Sequence, residues 1–447
     1  MVKNPVILEN IRLHKLVHGG QCIADSHDGK KVFVWGGLPG EVVNIRVTKK
    51  KSSYLEGIVT EVLEPSNDRI VPVEPEVYLS SSPWQIMTFE AENKVKQAIL
   101  EETFEREGFR DIDWTSFVAK GKEQPDEAIH SLPGAMRKTV GCPHEGYRYR
   151  NKVELGFWGD EDGLHYASYV RGTHGKQIIT RNALASDAIN DVLDDFLTSL
   201  SHFVEKNGLR AGDFKTVIFR SNQAGDVVAA LFTKLDTDFS DFMKPDSLKG
   251  LTIYHSNPKS PASVPTRQLY IKGDITLNDE VLRKNIMYDV LSFFQVNLPV
   301  FEAAATEIKQ AVTDRPCVDF YSGVGTIGVP VGASVLVDSD ESNINMARKN
   351  ASEGTKVVLA TSETALEYIT NDKILVVDPP RAGLHKDVVE RVLEVLPPKV
   401  IYLSCNPSTQ ARDVNILSSA YKITRAQGYN FFPRTPHIES LVVLERI

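Results

Sequence analysis

Residues 316–328 read Pro-Cys-Val-Asp-Phe-Tyr-Ser-Gly-Val-Gly-Thr-Ile-Gly, an apolar run over 316–320 that breaks into a glycine-rich turn. An unbroken apolar run ending in turn residues is the pattern of a strand covered on both faces of a parallel sheet. Gly323, Gly325 and Gly328 satisfy G-x-G-x-x-G, which alone is compatible with a dinucleotide pocket. Glycines allow the backbone to approach a ligand because no Cβ intervenes. Asp319 at the strand end, and Asp338 at the end of the next strand, favour S-adenosylmethionine, with Asp338 accepting from ribose hydroxyls. A nicotinamide pocket can use the same acid, so both cofactors stay open on these residues alone. Asp340 is an alternative acid, better suited to cap the following helix.

Outward from this turn the chain alternates. Helix 299–312 precedes it. Strand 335–338, helix 341–351, strand 357–360, helix 363–370, strand 374–378, helix 386–395, strand 400–404 and helix 409–418 follow, before strands 423–428 and 440–446. Such alternation predicts an α/β domain over 286–447, Rossmann-like, with a mainly parallel sheet whose last strand returns antiparallel. Residues 1–65 hold five short strands with Gly- and Pro-containing turns between them, the pattern of a small OB-like β-barrel. Residues 66–285 read as a central α+β domain. It comprises a linker at 66–88, a helix over 89–109, a turn-rich stretch at 110–145, strands 152–158, 165–170, 215–221 and 227–234, and a helical segment 185–206.

A formal charge of -8 gives no global basic signature, so any nucleic-acid surface must be a local patch. Arg46 and Lys49–Lys51 before Tyr54, and Tyr147-Arg148-Tyr149-Arg150-Asn151-Lys152, are two such patches; a solvated hairpin tip and a protected strand edge account for them equally well. Cysteines 22, 142, 317 and 405 form neither a CxxC pair nor a zinc spacing, so no disulfide framework and no metal site are expected. The N-terminus lacks a signal-peptide core, and no run approaches the roughly 18 apolar residues of a membrane span. A soluble, cytoplasmic protein is expected.

Three strand ends carry candidate chemistry. Cys405 follows strand 400–404, Asp378-Pro379-Pro380-Arg381 follows strand 374–378, and Phe432-Pro433 leads through His437 and Ile438 to Glu439. A lone strand cysteine is more often core than nucleophile, and here the neighbouring turns argue for the nucleophile. Each proline ring fixes its own φ and stiffens the Asp378 turn. Enzymes that methylate amino nitrogens place an aromatic after such a Pro-Pro. Arg381 stands there instead, which together with the thiol points to carbon as methyl acceptor. Carbon 5 of a pyrimidine is too weak a nucleophile to attack a sulfonium methyl directly. Addition of the Cys405 thiolate to carbon 6 makes it an enolate that can. A base then removes the carbon-5 proton; Glu439 is the candidate and His437 its rival.

With these segments together, Phe293-Phe294-Gln295-Val296-Asn297, 319–325, 378–383, Ser404-Cys405-Asn406-Pro407 through Asp413, and 432–440, the chain resembles the S-adenosylmethionine-dependent RNA 5-methyluridine methyltransferases along nearly its whole length. The resemblance implies Cys405 as nucleophile, Glu439 as base, and Gln295, Tyr321, Thr326, Asp338, Ser362 and Asp378 at the cofactor. It implies a TRAM domain for the barrel, helix 89–109 packed on the catalytic domain, and an RNA partner. Ribosomal RNA (23S) is favoured over tRNA because many tRNA-specific relatives lack the barrel. No obligatory protein partner is evident, and a monomer is expected. Many relatives ligate an iron-sulfur cluster through cysteines. The corresponding stretch here reads Val77-Tyr78-Leu79-Ser80-Ser81-Ser82-Pro83-Trp84-Gln85, so no cluster is expected, and packing around Trp84 must take its place. The alternatives are a nicotinamide-dependent oxidoreductase and a non-catalytic RNA-binding protein.

Overall fold

A computed structural model describes residues 5–119, 146–173, 175–260, 262–313 and 315–447; Cys142 and the turn-rich stretch beyond 119 lie outside the described residues. The N-terminal strands β1 (Ile7–Leu16), β2 (Cys22–Asp25), β3 (Lys31–Trp35), β4 (Val42–Lys50) and β5 (Tyr54–Glu64) close into a barrel of order β1-β2-β3-β5-β4. Alternate residues, among them Leu13, Cys22, Val32, Val34, Val43 and Ile45, fill its interior. Strands β4 and β5 run further than the apolar pattern indicates, because polar Lys49 and Lys50 still pair with Glu56 and Leu55.

The segment after the barrel holds one helical turn, α1 (Tyr78–Ser81), and then α2 (Phe89–Arg106). The Thr88 hydroxyl accepts from the Ala91 N–H at 3.3 Å, and Glu90 and Glu92 occupy the first turn, where they complement the helix dipole. Strand β6 (Trp114–Val118) follows. The central sheet contains β7 (Lys152–Asp160), β8 (Gly163–Tyr169) and β9 (Lys176–Ile179), then, after helix α3 (Asp187–Lys206), β10 (Phe214–Ser221), β11 (Val227–Thr233), β12 (Gly250–His255) and β13 (Arg267–Gly273). Its order is β13-β12-β11-β10-β7-β8-β9, with α3 burying Ile189, Leu193, Phe196 and Phe203 against one face. A hairpin, β14 (Thr276–Val281) and β15 (Lys284–Asp289), leads onward. The sequence reading missed β6, within the stretch it read as turn-rich, as well as β9 and β12 to β15. Residue 285 lies within β15, whose strand pairs with β14 along its whole length.

The last part contains α4 (Leu298–Ala311), β16 (Cys317–Phe320), α5 (Gly328–Val331), β17 (Val335–Asp338), α6 (Glu341–Asn350), β18 (Lys356–Leu359), β19 (Ile374–Val377), α7 (Lys386–Val395), β20 (Lys399–Ser404), α8 (Pro407–Leu417), β21 (Tyr421–Tyr429) and β22 (Glu439–Arg446). Residues 363–370 are not a helix. Ala365 and Ile369 have helical spacing and are buried, but the chain makes only two 3-10 turns, Ser362–Thr364 and Leu366–Tyr368. The sheet order is β18-β17-β16-β19-β20-β22-β21-β6. Strands β16 to β20 are parallel, β22 runs antiparallel to β20 and β21, and β6 adds in parallel to β21. Strand order reverses on either side of β16, which opens a crevice beyond the strand carboxyl ends where ligands of such folds bind. No helix among the described residues is long and apolar enough to cross a membrane.

Candidate active site

After β16 the backbone coils tightly: Tyr321, Gly323 and Gly325 have φ of 64°, 55° and 90°. At Gly325 a Cβ would also lie 2.7 Å from Val329 Cγ2, so glycine is required on both counts. The Gly323 N–H donates to Asp338 Oδ2 at 2.8 Å and the Asp340 N–H to Oδ1 at 2.9 Å, which fixes the direction of the Asp338 carboxylate. Asp340 caps α6, accepting from the Asn343 N–H at 2.9 Å. Beneath the turn Asp319 is fully buried, and burial, with Asp378 and Asp338 nearby, pushes its carboxyl well above the usual range. The Tyr321 hydroxyl donates to Ser362 Oγ at 2.8 Å.

A cavity of about 720 Å³ occupies the crevice. Gln295, Tyr321, Asp338, Ser362 and Asp378 line it, and so do Cys405 and Glu439. Thr326 is buried just behind this lining, 6 % exposed, where the chain turns toward α5.

Cys405 and Glu439 are brought together by register. Ser404 of β20 pairs with Ser440 of β22, so the next step of the antiparallel ladder sets Cys405 opposite Glu439 on the same face. Gln410 of α8 fastens the two strand ends, its Nε2 donating to the Tyr402 carbonyl at 2.8 Å and the Ser440 carbonyl at 3.2 Å. The Asp378 turn hangs from the start of α8: Asn406 Nδ2 and Thr409 Oγ1 donate to the Arg381 carbonyl at 2.8 and 3.1 Å. Asp413 Oδ2 accepts from the Leu384 N–H at 2.8 Å and the Tyr402 hydroxyl at 2.9 Å. The motif residues after Cys405 are therefore the clamp that holds the Pro-Pro-Arg turn.

Burial, then the charges of Glu439 and Asp378, push the Cys405 thiol up to about 12, with Arg381 opposing. Burial raises Asp378 to about 7. Glu439 is raised well above its ordinary value by burial and then by Asp378. His437 Nδ1 lies 3.1 Å from Arg381 Nη2. Since a guanidinium only donates, Nδ1 accepts and the imidazole is neutral, its pKa lowered to about 4 by burial and then by Arg381. Its free lone pair is thus engaged, which leaves Glu439 as the better-placed proton acceptor. Sequence reasoning named neither Phe293 nor Phe432 individually as site residues, and it placed Arg150 only in a basic patch; all three line the cavity. The signals were present, since Phe293 opens the Phe-Phe-Gln run and Arg150 lies among aromatics.

Residues 336–447 match the tRNA (uracil-5-)-methyltransferase family, and residues 9–60 match the TRAM domain. An uncharacterized RNA methyltransferase of Thermotoga maritima is 26% identical, over 98% of this chain and 99% of its own length. Another from Fusobacterium nucleatum is 23% identical, over 98% and 95%. Among solved structures, the tRNA (uracil-54, C5)-methyltransferase of Pyrococcus abyssi in complex with S-adenosyl-L-homocysteine superposes with a TM-score of 0.74 at 20% identity, over 97% of this chain and 99% of that one. The likeness shows a shared fold that runs from barrel to catalytic sheet.

Proposed function

We propose, for a chain that is an S-adenosylmethionine-dependent RNA methyltransferase with a uracil-5-methyltransferase family domain behind a TRAM barrel, that it methylates carbon 5 of a uridine through a covalent Cys405 adduct. The observation that carries this reading is the Ser404–Ser440 register, whose continuation sets Cys405 opposite Glu439, with both residues and Asp378 lining one cavity.

The cavity suits a cationic cofactor. Asp338, Asp340 and Glu363 are among its lining carboxylates, a set that disfavours a pyrophosphate, although Arg150 and Arg381 line it as well. Gln295, Tyr321, Asp338, Ser362 and Asp378 would hold S-adenosylmethionine, which supplies an electrophilic sulfonium methyl when bound. Asp338, oriented by two backbone N–H groups, keeps lone pairs for ribose hydroxyls. Asp378, with its pKa near 7, is suited to take the Cys405 proton as sulfur adds to carbon 6 of the base. Once carbon 5 carries the methyl group, Glu439 removes the carbon-5 proton, the C6–S bond breaks with its electron pair returning to sulfur, and the Cys405 thiolate takes its proton back from Asp378.

The Pyrococcus abyssi protein, a tRNA (uracil-54, C5)-methyltransferase, aligns over 97% of this chain and so over the barrel as well. The barrel therefore gives no ground for favouring 23S ribosomal RNA, and tRNA is an equal candidate. The test incubates full-length enzyme and S-adenosylmethionine with unmodified tRNA and large-subunit ribosomal RNA transcripts, followed by nucleoside mass spectrometry. The expected result is 5-methyluridine in one RNA and its loss with Cys405→Ala. Methylation at another atom, or full activity of the Ala variant, refutes the mechanism.

A further inference from the structure

We propose that Glu92 and Lys96, two buried side chains of α2, position the segment 430–438 and through it Glu439, and so govern the proton-removal half of the reaction. This inference rests on the function proposed above and deepens it. Between β21 and β22 this segment carries Phe432 and His437 into the cavity wall and delivers Glu439.

Its central backbone groups are held from outside. The Phe432 carbonyl accepts from Lys96 Nζ at 3.0 Å and the Pro433 carbonyl from the Tyr149 hydroxyl at 3.1 Å. The Arg434 N–H donates to both Glu92 carboxylate oxygens at 3.0 Å, and the Arg434 carbonyl accepts from the Trp84 N–H at 3.1 Å. Asn430 is gripped at both ends of its amide: Lys96 Nζ donates to Oδ1 at 2.6 Å, and Nδ2 donates to Glu92 Oε1 at 2.9 Å. Glu92 and Lys96 are 0% exposed and pair with each other at 2.9 Å.

Two features show that this is more than a fastening of α2. Arg434 adopts a φ of 63°, a left-handed conformation that a residue with a side chain keeps only when its surroundings over-determine it. A buried ion pair also bears a desolvation cost that an apolar pair avoids. An apolar pair would pack α2 equally well but would leave the N–H and C=O groups of the segment unheld.

In the second half of the reaction the Glu439 carboxylate takes the carbon-5 proton. The C–H electron pair re-forms the C5=C6 bond, and the C6–S bond breaks with its pair returning to Cys405. Cys405 follows the end of β20, outside the held segment, so loosening the segment slows release and spares addition.

The test uses full-length Lys96→Met with the RNA substrate and with the same RNA carrying 5-fluorouridine, which has no carbon-5 proton and stalls as the adduct whatever the base does. The expected result is a kcat lowered about tenfold or more, an RNA KM within about threefold of native, and a native rate of adduct formation on the fluorinated RNA. The covalent complex should also accumulate on ordinary RNA. Tyr149→Phe removes one hydroxyl and should show the same split at roughly two- to fivefold, which keeps the test decisive if the Met variant misfolds. A parallel fall of adduct formation and turnover, or no change in either, overturns the inference. If native enzyme forms the adduct and the split is absent, the proposed function stands and only this inference falls. If native enzyme forms no adduct, both fall.

Discussion

Replacing Glu439 by Gln is predicted to make Cys405 more reactive while stopping turnover. Continuing the Ser404–Ser440 register sets the two residues opposite each other one step beyond the β20–β22 ladder, where Cβ atoms of opposed residues lie roughly 5 Å apart. At that separation and an effective dielectric of about 20, one carboxylate charge is worth roughly 3 kcal/mol, or about two pKa units on the thiol. The thiol and carboxylate heads diverge from their Cβ atoms and Cys405 is partly open to solvent, so about half of this, near one unit, is expected. Removing the charge lowers a thiol pKa that now stands at about 12. Alkylation of Cys405 by iodoacetamide, followed by peptide mass spectrometry at about pH 9, should therefore speed up about tenfold, since the thiolate is the reactive form. Methyl transfer by the same variant should fall by about 10²–10⁴, the range for loss of a general base. Slower or unchanged alkylation would refute the electrostatic reading, and turnover within about threefold of native would refute Glu439 as base.

His437, neutral in the folded protein with its pKa lowered to about 4, makes stability depend on pH. The unfolded chain binds a proton near pH 6.5 and the folded one does not, so stability is complete above about 6.5 and is lost on acidification toward 4, by roughly 3 kcal/mol. Urea titrations at several pH values should show that slope, and His437→Gln should flatten it. Gly325→Ala places a Cβ 2.7 Å from Val329 at a φ of 90°. It should weaken S-adenosylhomocysteine binding by calorimetry about tenfold or more and destabilise the fold by about 1–3 kcal/mol.

Much of this could be read from the chain because strands covered on both faces leave unbroken apolar runs. Residues 316–320, 374–377 and 400–404 are such runs, and their polar ends mark the site. Strand β13 was lost because none of Arg267–Gly273 is fully buried, and β14 because one of its inward positions is the polar Asp279. Cys405 and Glu439 stood out as strand-end groups, but their pairing depends on register, which no local pattern reveals. The structural part of Glu92 and Lys96 could not be seen, since it depends on contacts with residues more than 330 positions later.

Strand β6 has a consequence for how the protein is made. Thr115 donates to the Ala426 carbonyl, 311 residues away, and the Asn430 N–H donates to the Val118 carbonyl at 2.8 Å. An early piece of the chain must therefore wait, unpaired, until nearly the whole polypeptide has left the ribosome before the sheet edge that receives it exists. Sheets closed by such distant partners assemble slowly and expose strand edges while they wait. The catalytic half is accordingly no detachable module. Expressed from residue 286 onward it would present the bare edge of β21 to solvent, an invitation to pair with another copy, and supplying residues 89–119 as a separate peptide is the direct way to cover it.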